Sequence, residues 1–386
     1  MRIFYLDAAR SVLMSLGVVL HTAAMYDPLL KWALTDPKGN VVFHMLRVAI
    51  HVFRMPAFFM LSGFFCLMVM GKYGDRFLRV RLTRILVPLL ATALIVNTVQ
   101  AYVLYDYRDS TLSFFGYYAG SGVVDLLRSG RWVSHLWFLI NLALYTVVAY
   151  AAWRALQQRS QALEAALDTL APVLERPAGL FLLPALGLLP WAAAYKLHGL
   201  VQPVLGFLDL ADLVHYGLFF ALGMWMFHRR QMLERFSRAG WATVLAAGLS
   251  IAGLVALELL PVGAFSTLVE YYCDTLLALS VSVMVLHLFR RFASGPSKVF
   301  SYLSEASYTV YLFHHLTVLV LGILLMDAPL NAYVKFPIVV VSTFAIVLAI
   351  HHFLVLKIKP LRFLFNGKYG DEARVAPAAA AGATRA

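Results

Sequence analysis

The sequence predicts an all-α fold: a polytopic membrane helical bundle of about ten transmembrane helices, with both termini cytoplasmic. Three observations carry this. Of 386 residues, 61% are hydrophobic and 13% charged, against about 25% charged in an ordinary soluble domain. Apolar stretches recur along the whole chain, each long enough to cross about 30 Å of hydrocarbon, which takes about 20 helical residues; mean hydropathy is +0.77. The basic residues also sort by side: 22 of the 32 fall in segments on the same side as the N-terminus, the asymmetry that marks cytoplasmic loops. A soluble enzyme is excluded. The net charge of +12 is a topological signal here, so no nucleic-acid partner follows from it.

The ten stretches are roughly 8–26, 43–70, 85–105, 133–153, 179–197, 212–228, 241–260, 269–289, 305–326 and 336–356. The first is expected to remain as a span. Asp7 and Arg10 interrupt the place where a signal peptide needs an unbroken apolar core, and no small-residue cleavage pattern follows. Arg10 and His21 are eleven residues apart, about 20° past three whole turns at about 100° per residue, so they share one helix face, and they lie about 16 Å apart along the axis. Asp7, one turn before Arg10, can pair with it.

In the second stretch Arg47, His51 and Arg54 form a cationic stripe on one helix face. Counting inward puts His51 at about the depth of His21, roughly 12 Å below the outer surface. Pro56 predicts a kink beside Arg54, and Ser62 and Gly63 permit close helix approach. The third stretch is entered through Arg76, Arg79, Arg81 and Arg84, a run that suits both positive-inside anchoring and phosphate recognition. A Gly-, Ser- and Tyr-rich loop over 106–132 precedes the fourth stretch, which opens with His135 and Trp137 near the outer surface. Residues 154–176 read as a short amphipathic helix ended by Pro177.

His44, His198, His215, His228 and His287 are read as interfacial, without a role in chemistry. In the ninth, Ser307, Tyr308, Tyr311, His314 and His315 reach mid-depth. His351 and His352 close the last span and are expected to be interfacial. Residues 1–370 are expected to form one membrane domain, with the Ala-rich 371–386 a disordered tail. Cys66 and Cys273 lie inside apolar runs, which supports neither a disulfide framework nor a cysteine metal site.

Ionisable groups at mid-membrane cost about 2.5–3.5 kcal/mol on insertion scales, so each is a functional candidate. Here four spans bring His, Arg, Tyr and Trp to similar depths, which points to a shared polar cavity.

Tyr5-Leu6-Asp7 followed by Arg10 and His21 resembles the R-x10-H signature of the acyltransferase-3 family of integral membrane acyltransferases. Phe58-Phe59-Met60-Leu61-Ser62-Gly63-Phe64 and Arg81-Leu82-Thr83-Arg84 with Pro88 are similar to its other motifs. The segments around His51, His135 and His314, and the closing Leu364-Phe365-Asn366-Gly367-Lys368, resemble the branch associated with succinylation of osmoregulated periplasmic glucans. The resemblance implies transfer of an acyl group from a cytoplasmic acyl-CoA, succinyl-CoA or acetyl-CoA, to a periplasmic glucan acceptor, with no permanently bound cofactor. It further implies a multi-pass protein of the bacterial inner membrane, in contact with lipids and with glucan-synthesis proteins as candidate partners.

On that reading His21 is the general base, Arg54 or His51 stabilises the oxyanion, and Arg10 held by Asp7 orders the donor or the first span. Arg47 and Arg54 offer forks for a succinyl carboxylate, and Arg76, Arg79, Arg81 and Arg84 for the donor phosphates. His135, Trp137, Tyr308, Tyr311, His314 and His315 are expected to line the substrate site. An O-acetyltransferase of another envelope polysaccharide, a transporter of anionic sugars or acids, and a scaffold for glucan synthesis are the competing readings.

Overall fold

The computed structural model describes residues 3–109, 111–120, 122–128, 130–156, 169, 172–177, 179–201 and 207–368, and its regular elements are all helical. In order they are α1 (Phe4–Met25), α2 (Val41–Tyr73), α3 (Phe77–Ala91), α4 (Asn97–Asp109), α5 (Phe114–Ala119), α6 (Gly122–Arg128), α7 (Trp137–Leu156) and α8 (Gly179–Val201). There follow α9 (Leu210–His228), α10 (Arg230–Arg235), α11 (Trp241–Leu257), α12 (Ala264–Phe292), α13 (Lys298–Leu325), α14 (Ala332–Ala349) and α15 (Lys359–Asn366). Most of the amphipathic helix expected at 154–176, and all of the Ala-rich tail, lie outside the described residues.

Among the described residues, eight helical runs are long and apolar enough to cross a membrane. One of them, Val41–Arg108, takes in the second and third predicted stretches. Helical structure persists there through the 3₁₀ turn Gly74–Arg76 and the π-helical segment Thr92–Val96. Gly74, at φ +50°, occupies the left-handed half of backbone space that glycine enters without a Cβ penalty. The seventh predicted stretch falls on α11, which has 17 residues and is shorter than the spanning runs. Side-chain oxygens start several helices by accepting orphan amides: Asn40 from Val42, Asp209 from Ala211 and Asp212, Ser297 from Phe300, Asn331 from Val334.

The α1 helix packs between α2 and α13, and α2 packs on α9. That last contact is backbone to backbone. A Cβ at Gly63 would lie 1.9 Å from the Phe220 carbonyl oxygen, and one at Gly223 would lie 1.7 Å from that of Met60. The expected close approach at Gly63 is therefore reciprocated by a second glycine across the interface, the small-residue packing that membrane helices favour. The α2 helix continues through Pro56 without interruption.

Residues 26–40, between α1 and α2, are stapled down. Asp36 pairs with Lys335 of α14 at 2.9 Å, both side chains being almost wholly buried. Arg47 and His44 both hold Asp27, and Arg108 donates to the Ala33 carbonyl at 2.8 Å. This bracing sets Trp32 over the end of α1. His351 departs from expectation: it is fully buried, bonded to Thr309 Oγ1 at 2.8 Å. The π-helical segment Ile350–Val355 contains it, and the wider turn presents it to α13 rather than to the membrane surface. His352 is exposed.

Candidate active site

Four imidazoles from three parts of the chain meet beside the last turns of α1. The His21 ring lies 4.7 Å from that of His315 and 5.3 Å from that of His314. His135, in the 3₁₀ turn Ser134–Leu136 ahead of α7, stacks on His315 at 4.9 Å with 7° between planes, and lies 5.3 Å from His314. Trp32 stacks on His21 at 5.7 Å. Among the described residues no three His, Cys, Asp or Glu side chains are arranged to hold a metal ion.

A strained turn aims His135. Ser134 has φ +45°, the one non-glycine residue with positive φ among those described, a conformation that costs about 1–3 kcal/mol and persists only when its surroundings enforce it. Gln100 Nε2 donates to Ser134 Oγ at 3.1 Å, Asn97 Nδ2 donates to the Trp132 carbonyl at 2.7 Å, and the Tyr311 hydroxyl donates to the His135 carbonyl. Asn97 and Gln100 follow directly on the π-helical Thr92–Val96, a widened turn of the kind that recurs at functional sites.

The hydrogen bonds assign the rings different duties. His314 Nδ1 donates to the Tyr311 carbonyl at 2.7 Å, which leaves Nε2 as a lone pair, and Nε2 has no partner among the described residues. His315 Nδ1 bonds Gln100 Oε1 at 2.7 Å. His21 Nδ1 is likewise without a protein partner among the described residues. His314 is 1% exposed, whereas His21 is half-buried and lines a cavity.

Arg54 reaches the same place from α2. It is 7% exposed, its Nε donates to the Leu13 carbonyl at 3.0 Å, and no carboxylate among the described residues pairs with it. Gly17, one turn before His21, makes room. A Cβ there would stand 2.6 Å from Arg54 Nη2 and 3.1 Å from His314 Nε2, so both groups converge on a patch of α1 backbone that only glycine leaves open.

Two cavities flank this layer. On the Trp32 side a space of about 310 Å³ is lined by His21, His135, His315, Trp137, Gln100 and Arg131. On the Arg10 side a second, also about 310 Å³, is lined by Arg10, Arg81, Arg84, Glu305, Tyr308 and Lys368. Arg10 donates to Ser304 Oγ at 3.0 Å, lies 3.9 Å from Asp7 and covers the Phe65 ring. Tyr308 donates its hydroxyl to the Arg84 carbonyl at 3.1 Å, tying α13 to α3. Gly367, at φ +60°, lets the turn after α15 approach α3, since a Cβ there would lie 2.6 Å from Arg84 Cα. That approach delivers Lys368, whose pKa burial pushes down while Glu305 opposes the shift.

The structure thus brings together His21, Arg54, His135, Trp137, Tyr311, His314 and His315, and groups Arg10, Arg81, Arg84 and Tyr308 in the adjoining cavity. Other predicted residues lie elsewhere. Arg47 Nε is 2.6 Å from Asp27 Oδ2, so the expected fork for an acyl carboxylate is already engaged by a buried carboxylate and lines neither cavity. His51 shares no cavity with His21: it lines a separate one with α8, α9 and α12, because equal depth on two helices does not fix their rotation. Arg76 and Arg79 are exposed and outside both cavities. Sequence reasoning missed Trp32, Gln100, Arg131, Glu305 and Gly17. Of these only Gly17 carried a readable signal, its spacing of four from His21, which shares a helix face. Lys368 stood inside a recognised segment without being assigned a role.

A family profile described as Acyltransferase domain (Acyl_transf_3) matches residues 3–352. Proteins named "Glucans biosynthesis protein C" from Salmonella paratyphi B and Salmonella schwarzengrund are each 26% identical over 384 residues, covering 95% of this chain and 95% of the relative. The protein of that name from Salmonella paratyphi A is 26% identical over 378 residues with the same coverage. No solved structure matches. With a profile match spanning the helices that carry the histidines, Arg54 and the Arg10 cavity, the chain belongs to the Acyl_transf_3 family of acyltransferases.

Proposed function

We propose that the protein transfers a succinyl group from a coenzyme A thioester, entering from the cytoplasm at the Arg10 cavity, to glucosyl hydroxyls of periplasmic glucans at the histidine cavity. Its place is the bacterial inner membrane. One observation carries the reading: Arg54 is a buried cation with no carboxylate partner among the described residues, set beside His314 Nε2, which has no hydrogen-bond partner among them. Holding such a charge inside the membrane costs about 2.5–3.5 kcal/mol on insertion scales. Negative charge arriving during reaction recovers that cost, which makes the stabilisation selective for the transition state.

The chemistry follows from the positions. An acceptor hydroxyl in the Trp32-side cavity meets His21, the more accessible imidazole, which takes its proton as a neutral base. The hydroxyl oxygen bonds to the thioester carbonyl carbon, and the carbonyl electron pair moves onto oxygen, facing Arg54. When the carbonyl re-forms, the carbon–sulfur bond breaks and the thiolate takes the proton from the imidazolium. An ester and a free coenzyme A thiol result. His314, with its lone pair beside Arg54, is placed to accept a hydrogen bond from the incoming hydroxyl. Arg10, Arg81, Arg84 and Lys368 bind the donor phosphates, and the long pantetheine arm of coenzyme A carries the acyl group along α1 toward Gly17. Arg131, at the histidine cavity, is a cationic neighbour for the succinyl carboxylate.

Purified protein in lipid, given succinyl-labelled coenzyme A and linear glucan, is expected to label the glucan. Mass spectrometry of the product separates succinyl from acetyl transfer. Label that stays on the coenzyme, with either donor, refutes the proposal. Glucan that instead crosses sealed vesicles unmodified identifies a transporter.

A further inference from the structure

A third cavity, about 500 Å³, lies among α2, α8, α9 and α12, within the range of about 300–1,000 Å³ usual for ligand sites. We infer that it is a distal acceptor subsite, which binds an unmodified stretch of the same glucan chain whose neighbouring unit enters the histidine cavity. The inference rests on the acceptor class proposed above and extends it.

The lining has the chemistry of a neutral sugar site. Trp191 stacks on Tyr271 with 4.3 Å between centroids and 18° between planes, and on Tyr195 at 5.1 Å and 25°. All three rings border the space, and aromatic ring surface suits the C–H face of a pyranose. Asp212, Glu270 and Asp274 line the same space. Carboxylates only accept hydrogen bonds, so their partner must donate, and a neutral polyol carries many donors. A glucosyl unit already bearing a succinyl carboxylate is repelled by the same three groups. The subsite therefore selects stretches not yet modified, a discrimination made by repulsion as much as by attraction.

Position links the subsite to the chemistry. Tyr216 lines this cavity and Trp137 lines the histidine cavity, and their rings are in contact at 5.4 Å. The two spaces share a wall of paired aromatic rings. They also lie at one end of the bundle: His51 is in the first half of α2, and the short connection 26–40 joins that end to the end of α1 bearing His21. An acceptor that reaches both spaces must be longer than a single sugar. Carboxylates and aromatic rings also suit an organic cation; the wall shared with the acceptor cavity is what favours the glucan.

The test uses full-length His21→Ala protein in lipid nanodiscs, which binds without turnover, titrated calorimetrically with short and long linear gluco-oligosaccharides. The long chains are expected to bind about tenfold tighter or more. Adding Trp191→Ala, or the milder Asp274→Asn, should erase most of that gain. Succinylated long chains should bind no tighter than a disaccharide. Equal affinity for long and short chains overturns the inference, as does a length gain untouched by both substitutions, or choline competing out the glucan. The wild-type transfer assay separates the two readings. Label transferred with equal efficiency to short and long chains sinks the subsite and leaves the transferase standing. Length-dependent binding through Trp191 without any transfer does the reverse.

Discussion

Gly17→Ala places one methyl group where the proposed charge stabilisation is assembled. Ordinary contact begins at 3.4 Å, and the new Cβ would stand 2.6 Å from Arg54 Nη2, so the guanidinium must retreat by about 0.8 Å. His314 Nε2, at 3.1 Å, must give by a few tenths of an ångström. Stability is expected to change little. Nη2 is the far end of a flexible side chain and moves at low cost, and replacing a helix-interior glycine by alanine contributes about 1 kcal/mol in favour of folding. Catalysis is expected to suffer, because a displacement near 1 Å of a positioned group costs about 10²-fold in rate, equivalent to about 2.7 kcal/mol in the barrier. The assay pairs steady-state acyl transfer to glucan with thermal unfolding in detergent, using Gly71→Ala, a helical glycine with nothing within 4 Å of its built Cβ, as the control. The reasoning is refuted if Gly17→Ala retains wild-type kcat while remaining folded, since Arg54 would then have no part at that spot.

His21→Ala should lower transfer by about 10²–10⁴-fold without lowering the unfolding temperature; a normal acyl content on the glucan would favour the scaffold reading. Arg81→Ala with Arg84→Ala should raise KM for the acyl-CoA more than KM for glucan, whereas Arg76→Ala with Arg79→Ala, both outside the cavity, should leave the donor KM near wild type. Lys335→Met strands the buried Asp36 carboxylate and is expected to cost about 3–5 kcal/mol, most of it recovered in the double variant with Asp36→Leu, as measured by denaturant unfolding of the folded bundle. A pH effect is expected at Asp27. Burial alone would raise its pKa, but the Arg47, Leu29 amide and His44 hydrogen bonds outweigh burial and hold it below the ordinary aspartate value. A carboxyl depressed on folding contributes stability above its unfolded pKa of about 3.9 and loses it as pH falls through the folded value. Asp27→Asn should accordingly be less stable than wild type at neutral pH and show a smaller loss on acidification.

The helical bundle was legible because hydrocarbon imposes its demand locally: each helix that is to cross it must be apolar over its own length. Family membership was legible for a related reason, since Arg10, His21, Arg81 and Arg84 sit at short spacings within single helices. Such spacings also put Arg10 and His21 on one face of α1. What they left open was rotation between helices. Arg47 and His51 share a stripe with Arg54 on α2, yet only Arg54 turns toward α1, while Arg47 is drawn to Asp27 and His51 to the cavity beside α9. Whether a polar side chain within a span faces a partner, a cavity or lipid depends on how neighbouring helices pack, and that packing was set by glycines such as Gly63 with Gly223 and Gly17 with Arg54. The sequence by itself determined that this chain has several helices long and apolar enough to cross a membrane and carries costly polar groups within them. Only the tertiary structure decided which of them meet, because convergence requires side chains distant in sequence to share one packed interior, and no local periodicity encodes that.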